Sequence, residues 1–333
     1  MKTNIDRKHI IIEEVSRLKI LTTLRVNPTI QTELQEKFPN LDFSFQSSMK
    51  EAERELEQAE VLITYGEDLN EEKIKRAREL KWIMVLSAGI EKLPLTAIQA
   101  QNILVTNARG IHKTPMAEYT IAMMLQVARK TKQLIENEKQ ELWDRKIKMG
   151  ELSGKTITIL GTGAIGCEIA RLTKAFNMKT VGINRSGRKA DHIDEVYTEN
   201  EMEKALKQGD FIVSVLPSTK ETYHLLTEQH FKIMKKESIF INIGRGSVVP
   251  ENILLKVLED GEISHAVLDV FESEPLEKGH PFWTMENVTV TPHISGLSPQ
   301  YQPRGFEIFS YNLEQYVSGK NNFMNIIDLN RRY

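Results

Sequence analysis

Three ionisable residues stand near the ends of apolar runs in the second half of the chain. Arg245 lies in FINIGRG, Glu274 follows AVLDV in FESEP, and His293 closes VTVTPH. In open parallel sheets, ligands bind beyond the carboxyl ends of the strands, so we expect these side chains to converge on one crevice. A cation, a carboxylate and an imidazole around one nucleotide site predict hydride transfer coupled to proton transfer.

A glycine-rich turn, ILGTGAIG, precedes them and has the G-x-G-x-x-G spacing at Gly161, Gly163 and Gly166. It follows the β-rich run TITIL and opens a helical pattern, which is the context that a dinucleotide-binding turn requires. The pyrophosphate would then meet the helix N-terminus, where Ala164 and Ile165 also lie. The alternative is a strand-to-helix turn without a ligand, which this context disfavours.

The strand after this turn, TVGIN, distinguishes between the two nicotinamide cofactors. NAD enzymes carry an acid at its end to bind the ribose 2′-hydroxyl, whereas Asn184 stands here and is followed by Arg185, Ser186 and Arg188. Arginine can grip a 2′-phosphate in a charge-assisted fork, so we predict NADP. The alternative is that these arginines form a solvated loop and the protein takes NAD.

Two series of apolar runs alternate with helical stretches and must position these residues. The first series is LKILTTL, LDFSF, VLITYG, WIMVLSAG and ILVTNA; the second is TITILG, TVGIN, FIVSVLP, SIFINIG, HAVLDV and VTVTPH. Such alternation is typical of right-handed βαβ units. It predicts an α/β protein with two doubly wound parallel-sheet domains, a Rossmann dinucleotide-binding domain inserted into a flavodoxin-like substrate domain.

The domain limits follow from two helical stretches. Residues 114–143 form one long helical pattern between the two series, and the closing pattern RGFEIFSYNLEQYVSGK should cross back onto the first domain. We therefore expect a substrate domain at 1–114 and 300–333 and a dinucleotide-binding domain at 115–299. Residues 1–17 are interpreted as a leader ahead of the first strand.

Composition excludes several classes of partner. A formal charge of −2 over 333 residues gives no reason to expect nucleic acid binding, and no apolar run is long enough to cross a membrane. The single cysteine, Cys167, excludes an intrachain disulfide framework and favours a cytoplasmic location. Its place in a first helical turn could depress its pKa, but a small packed residue is the preferred interpretation.

Four motifs in order, LGTGAIG, INIGRGSVV, LDVFESEPL and NVTVTPHISG, resemble those of the D-isomer-specific 2-hydroxyacid dehydrogenases. The resemblance implies that Arg245 holds the carboxylate and carbonyl oxygens of the substrate. It also implies that His293 is the general acid and base and that Glu274 is its carboxylate partner. A planar 2-keto acid suits a guanidinium fork, and a proton donor must stand beside the oxygen that gains charge.

The same resemblance implies further contacts. Asp269 matches the position that contacts the nicotinamide carboxamide, and Leu216, Pro217 and Ile243 join the expected cofactor contacts. The backbone N–H groups of Ser87, Ala88, Gly89 and Ile90 would receive the substrate carboxylate. No metal is expected, and a homodimer is implied.

The loop NRSGR together with SAGIEKLPL most resembles the NADPH-preferring glyoxylate/hydroxypyruvate reductase branch. That branch implies reduction of a small 2-keto acid to the D-2-hydroxy acid, although a larger 2-keto acid stays open. In that branch Trp283 would lie near a neighbouring active site, with core packing as an equal alternative. A second hypothesis is a dinucleotide-sensing, corepressor-like interaction module on the same fold.

Overall fold

The structure, a computed structural model, describes residues 17–90 and 92–329; the leader, apart from Arg17, lies outside them. The chain divides into two compact units: His112–Ser298 form the second unit, and the described residues on either side form the first. Each unit contains one parallel sheet flanked by helices. This confirms the predicted α/β fold with two parallel-sheet domains.

The described residues form twelve strands and eleven α-helices. The strands are β1 Lys19–Thr23, β2 Asp42–Gln46, β3 Val61–Thr64, β4 Trp82–Val85, β5 Leu104–Asn107, β6 Thr156–Leu160, β7 Lys179–Ile183, β8 Glu195–Tyr197, β9 Phe211–Ser214, β10 Ile239–Asn242, β11 His265–Leu268 and β12 Val288–Val290. The helices are α1 Pro28–Lys37, α2 Met49–Ala52, α3 Glu71–Arg76, α4 Leu95–Ala100, α5 Lys113–Ala128, α6 Thr131–Lys139, α7 Ala164–Lys174, α8 Met202–Leu206, α9 Glu228–Lys232, α10 Glu251–Glu259 and α11 Tyr301–Val317.

The sheet of the first unit has the order β2-β1-β3-β4-β5, with every pair parallel. This is the flavodoxin-like strand order. The closing helix α11 belongs to this unit because its apolar face covers the sheet: Phe309 is fully buried and stacks on Trp82 with ring centroids 5.3 Å apart. At the start of the same helix, the Tyr301 hydroxyl donates to the carbonyl of Leu86 at the end of β4.

The sheet of the second unit has the order β12-β11-β10-β9-β6-β7-β8, again with parallel pairs. Counted from its own first strand, the order is 3-2-1-4-5-6 with a seventh strand added, which is the Rossmann order. The switch in direction falls between β6 and β9, so the loops after these two strands flank a crevice. The six predicted runs all form strands, and β8 is an additional edge strand.

The sequence pattern predicted one long helix over residues 114–143, but the structure has two helices there. Helix α5 ends at Ala128, and α6 begins after Lys130, whose φ of +55° is left-handed. At the break, the carbonyl of Ala128 accepts a hydrogen bond from the N–H of Gly150 (2.8 Å). Among the described helices, none combines the length and the apolar character needed to cross a bilayer.

Candidate active site

The glycine-rich turn joins β6 to α7, and its three glycines meet different surroundings. Gly161 has a φ of +101°, which favours glycine. A Cβ on Gly166 would lie 2.1 Å from the carbonyl oxygen of Gly161, so only glycine lets the helix pack this closely. A Cβ on Gly163, the N-cap residue of α7, would meet no atom within 4 Å. The open side of the turn therefore lies at Gly163, where a phosphate can approach the helix N-terminus.

The loop after β7 is folded back onto this turn by Asn184. Its side-chain amide donates to Thr162 Oγ1 (2.8 Å) and to the carbonyl of Arg188 (3.0 Å), and its Oδ1 accepts from the N–H of Ser186 (3.1 Å). Arg188 Nε donates to Ser186 Oγ (3.2 Å). The strand that carries an acid in NAD enzymes thus ends in an amide with hydroxyl and guanidinium groups beside it.

An open groove of about 460 Å³ lies between the turn and this loop. Its lining includes Thr162, Gly163, Asn184, Ser186, Arg188 and Lys189. Cys167 and Asp191 also reach the groove. Burial raises the pKa of the Cys167 thiol, and its Sγ lies 3.4 Å from the carbonyl of Thr162. The pKa of Cys167 is therefore raised and not depressed, contrary to the alternative that its place in the first helical turn suggested.

Arg245 is held between two glycines that follow β10. A Cβ on Gly246 would lie 1.9 Å from the carbonyl carbon of Phe271, and one on Gly244 would lie 2.5 Å from the carbonyl oxygen of Leu216. Backbone rather than flexible side chains blocks both positions. Arg245 is half-buried, and its Nη1 donates to the carbonyl of Gly244 (2.8 Å). The G-R-G sequence therefore allows the arginine backbone to lie against the loop that leads to Glu274.

Glu274 and His293 form a direct pair. His293 Nδ1 lies 2.8 Å from Glu274 Oε2, and Glu274 Oε1 accepts from the N–H of Phe271 (3.0 Å). His293 has a φ of +53°, and its N–H donates to the carbonyl of Asp269 (2.8 Å). Since Nδ1 faces a carboxylate, it carries a proton in this arrangement. The other ring nitrogen, Nε2, is left for a ligand, and the imidazole is about half exposed (48%).

The fully buried Asp269 organises the loop that carries His293. Its Oδ1 accepts from Thr291 Oγ1 (2.6 Å) and the N–H of Ile294 (2.9 Å), and its Oδ2 accepts from the N–H of Ser295 (2.9 Å). The Tyr119 hydroxyl lies 2.6 Å from Thr291 Oγ1, and burial raises the pKa of Tyr119 to about 12. These three hydrogen bonds leave one of the roughly four lone-pair sites of the carboxylate unused, but the side chain is not exposed in this structure.

Comparison with known proteins identifies the architecture that holds these groups. A model of the D-isomer specific 2-hydroxyacid dehydrogenase NAD binding domain matches residues 121–295. The chain belongs to the D-isomer specific 2-hydroxyacid dehydrogenase family. The matched range lies within His112–Ser298, so this unit contains the nicotinamide dinucleotide-binding domain of the family.

Three relatives illustrate the similarity. A solved family member from Aeromonas salmonicida is 34% identical, has a TM-score of 0.85, and aligns over 94% of this chain and 99% of its own. A glyoxylate reductase of Thermococcus litoralis is 34% identical over 80% of this chain and 82% of its own. The NADPH-dependent glyoxylate/hydroxypyruvate reductase of Sinorhizobium meliloti, solved with NADP and sulfate, is 26% identical with a TM-score of 0.80. It aligns over 95% of this chain and 100% of its own.

The predicted substrate loop of this dehydrogenase follows β4 in the first unit. Ser87 Oγ donates to the carbonyl of Gly89 (2.9 Å), and Asn107 Nδ2 donates to the carbonyl of Ala88 (2.7 Å). The backbone N–H groups of Ser87, Ala88 and Gly89 donate to no atom of the described chain. The loop is thus fixed through its carbonyls while its amides stay available, and Ile90 is buried in the core.

The remaining predicted positions differ in what they can offer a ligand. Leu216 is half-buried and Pro217 is exposed, after β9 on the crevice side of the sheet. Ile243 is only 1% exposed, so its side chain belongs to the core and only its backbone could face a cofactor. Trp283 is 50% exposed and its Nε1 donates to the carbonyl of Glu277, which makes the core-packing alternative wrong.

One residue near the site was missed from the sequence. The His112 ring packs against Gly296, where an added Cβ would lie 2.9 Å from its Cδ2. Burial and, secondarily, the Arg245 cation lower the pKa of His112. Nothing in the local pattern GIHKTP indicated this contact, because it joins segments more than 180 residues apart. In the described ranges, no group of three or more His, Cys, Asp or Glu side chains could hold a metal ion.

Proposed function

We propose that this dehydrogenase reduces a small 2-keto acid, of the glyoxylate or hydroxypyruvate type, to the D-2-hydroxy acid with NADPH in preference to NADH. The observation that carries the proposal is the 2.8 Å contact between His293 Nδ1 and Glu274 Oε2. It orients an imidazole with a free Nε2 at the carboxyl end of the sheet, beyond β12. An imidazole held in this way suits proton exchange with a carbonyl oxygen.

Each of the three residues has a task that its chemistry allows. The Arg245 guanidinium binds the substrate carboxylate and the keto oxygen as a fork and polarises the carbonyl. His293 Nε2 delivers a proton to that oxygen as it gains negative charge. Glu274 holds Nδ1 and so fixes the orientation of the ring and leaves Nε2 facing the substrate. The backbone N–H groups of Ser87 to Ile90 donate hydrogen bonds to the substrate carboxylate.

The second unit has the features that a bound dinucleotide needs. Gly163 leaves space at the N-terminus of α7 for a pyrophosphate, and the groove beside Ser186 and Arg188 suits a 2′-phosphate. Arg185 belongs to the same loop. The dihydronicotinamide, when bound, supplies the hydride. The absence of an acid at Asn184 supports NADPH, and NADP in the crystal of the Sinorhizobium meliloti relative agrees with this preference.

The proposed assignments extend to the whole chain. The unit His112–Ser298 is the dinucleotide-binding domain, and the other unit is the substrate domain. We place the protein in the cytoplasm as a homodimer. The dimer is supported by α6, which has no buried residue, and by a run of exposed apolar side chains between Leu134 and Met149.

A substrate survey with one variant tests this function. Glyoxylate, hydroxypyruvate, pyruvate and phenylpyruvate are each assayed with NADPH and with NADH. We expect oxidation of NADPH with glyoxylate or hydroxypyruvate, a higher kcat/KM than with NADH, and a loss of at least about 100-fold in H293A with NADPH affinity retained.

The Glu277→Gln variant is the control, because Glu277 lies in the loop after β11 with an exposed side chain and should leave turnover unchanged. Oxidation of neither cofactor with any acid would refute the reductase and favour the dinucleotide-sensing module. Unchanged turnover in H293A would refute the role of His293.

A further inference from the structure

Two glutamates and two histidines form a linked cluster beside the loop that carries Glu274. The members of this cluster, called the Glu251–Glu272 cluster below, are His224, Glu251, Glu272 and His280. They come from four segments of the second unit: the loop after β9, the first turn of α10, the loop after β11 and the segment before β12. None of them belongs to the proposed catalytic set.

At the centre of the cluster, each glutamate accepts a hydrogen bond with its carboxylate from the backbone N–H of the other. The N–H of Glu251 donates to Glu272 Oε2 (3.0 Å), and the N–H of Glu272 donates to Glu251 Oε1 (3.1 Å). Glu272 therefore caps one of the N–H groups left open at the start of α10, where an anion is favourable. The exchange also ties the backbone of the loop at Glu272 to a rigid helix.

A histidine stands at each outer end of the two carboxylates. His224 Nε2 lies 2.6 Å from Glu272 Oε1, and His280 Nε2 lies 3.7 Å from Glu251 Oε2. Only the contact of His224 with Glu272 is within hydrogen-bond distance; His280 lies near Glu251 as a longer-range partner. Since a neutral imidazole can donate from Nε2, the bond between His224 and Glu272 does not require a protonated ring.

The cluster is connected to the catalytic residues through the neighbouring backbone. Phe271, the residue before Glu272, donates its N–H to Glu274 Oε1 and so fixes the carboxylate that holds His293. The N–H of His224 donates to the carbonyl of Ser247 (2.8 Å), two residues after Arg245. His224 itself has a left-handed φ of +52°. The pair of His224 and Glu272 thus joins the Arg245 segment to the Glu274 segment.

We propose that Glu272 and His224 are positioning residues that hold the Glu274 loop in register with His293 and Arg245. They touch no reacting group themselves. The inference rests on the proposed function for its turnover readout. If the pair served only to cap α10, its loss would lower stability without changing turnover.

The test combines steady-state kinetics with amide hydrogen exchange on E272Q, H224Q and the double variant. Gln at 272 removes the charge while keeping one acceptor oxygen. We expect kcat to fall about 10- to 100-fold in E272Q, with the Kd for NADPH within about twofold of wild type. Exchange protection of the Phe271 N–H should fall about tenfold, because its acceptor carboxylate is less well fixed. The double variant should be no worse than E272Q, because the two residues act as one unit.

The matched control is E228Q. Glu228 pairs with Lys232 and Lys256 in the same unit, and its side chain has nearly the same exposure as that of Glu272 (29% and 30%). It should change neither kcat nor Phe271 protection. A kcat within twofold of wild type in E272Q, or equal losses in E228Q, would overturn the proposal. A wild type that reduces no 2-keto acid would refute the proposed function instead, and unchanged Phe271 protection in E272Q would then overturn this inference on its own.

Discussion

The glycines of the G-x-G-x-x-G turn have two different tasks: one allows close packing of the chain, and another leaves space for a ligand. Gly166 and Gly163 belong to one motif, yet backbone blocks the first and open space surrounds the second. The motif spacing predicted both positions without distinguishing them. Only the path of the chain around the turn reveals which glycine serves packing and which leaves room for a ligand.

This difference predicts opposite effects of the same substitution. Gly163→Ala should leave the unfolding midpoint within about 2 °C of wild type, since its φ of −80° suits any residue, but should raise the Kd for NADPH about tenfold or more. Gly166→Ala should lower the midpoint by several degrees, because its Cβ would overlap the carbonyl of Gly161. Thermal unfolding and fluorescence titration with NADPH measure the two effects. Equal destabilisation by both substitutions would contradict this division of roles.

At the scale of elements, regular strands were predictable and interrupted helices were not. Apart from the edge strand β2, the runs that became β1 to β7 and β9 to β12 are mostly apolar and rich in β-branched residues, as strands buried in parallel sheets are. The edge strand β8 has three residues, too few to show alternation. The stretch MKEAERELEQA (49–59) has the pattern of one helix, but it forms α2 and a separate 3₁₀ turn at Leu56–Gln58. Local helical spacing does not reveal where tertiary contacts end a helix.

In the candidate site, too, some features could be predicted from the sequence and others could not. The placement of Arg245, Glu274 and His293 at one edge of the sheet was predictable because residues after parallel strands lie at the same edge. The contact between His224 and Glu272 was not, since it joins residues 48 positions apart and no sequence pattern marks it. The seven histidines other than His293 were given no role from the sequence.

One of these histidines connects two strands and predicts a pH dependence of stability. His265 on β11 contacts Thr289 Oγ1 on β12 (3.0 Å). Burial first, and then Lys132 and Lys130, lower the pKa of His265 from 6.5 to about 4. The unfolded chain therefore binds a proton more readily below pH 6.5, and stability is lost as the pH falls from 6.5 towards 4. At about 1.4 kcal/mol per pH unit, this group accounts for about 3 kcal/mol.

We expect His265→Gln to remove that part of the pH dependence. The side-chain amide of Gln can still donate to Thr289 but does not titrate. Urea unfolding at pH 7 and at pH 4 measures the loss of free energy in each protein, and the variant should lose about 3 kcal/mol less than wild type. His192→Gln, at an exposed position of the same unit, should keep the wild-type dependence. A pH profile of H265Q that parallels wild type would show that His265 is not the group responsible.

At the scale of the whole molecule, the exposed apolar side chains are concentrated where α6 ends. Leu142 and Trp143 are 54% and 90% exposed, and Leu134, Ile135 and Met149 are also exposed. Scattered apolar residues are normal on a protein surface, and a run of five within sixteen residues supports the proposed dimer interface. Aromatic residues at such positions carry much of the binding energy in protein interfaces. A second copy of this chain is the occupant that the family resemblance implies.

The homodimer can be tested by placing a charge at the centre of this run. Trp143→Asp would require burial of an unpaired carboxylate in the interface, so it should convert the dimer to a monomer at micromolar concentration. Size-exclusion chromatography with light scattering measures the mass, and circular dichroism checks that the fold is retained. Val317→Asp changes an exposed apolar residue of α11 (48%) and should leave the mass unchanged. A wild-type protein that is already monomeric, or a W143D variant that stays dimeric, would place the interface elsewhere or exclude it. Because the proposed active-site residues Arg245, Glu274 and His293 all lie in one chain, we expect monomeric W143D to keep measurable turnover.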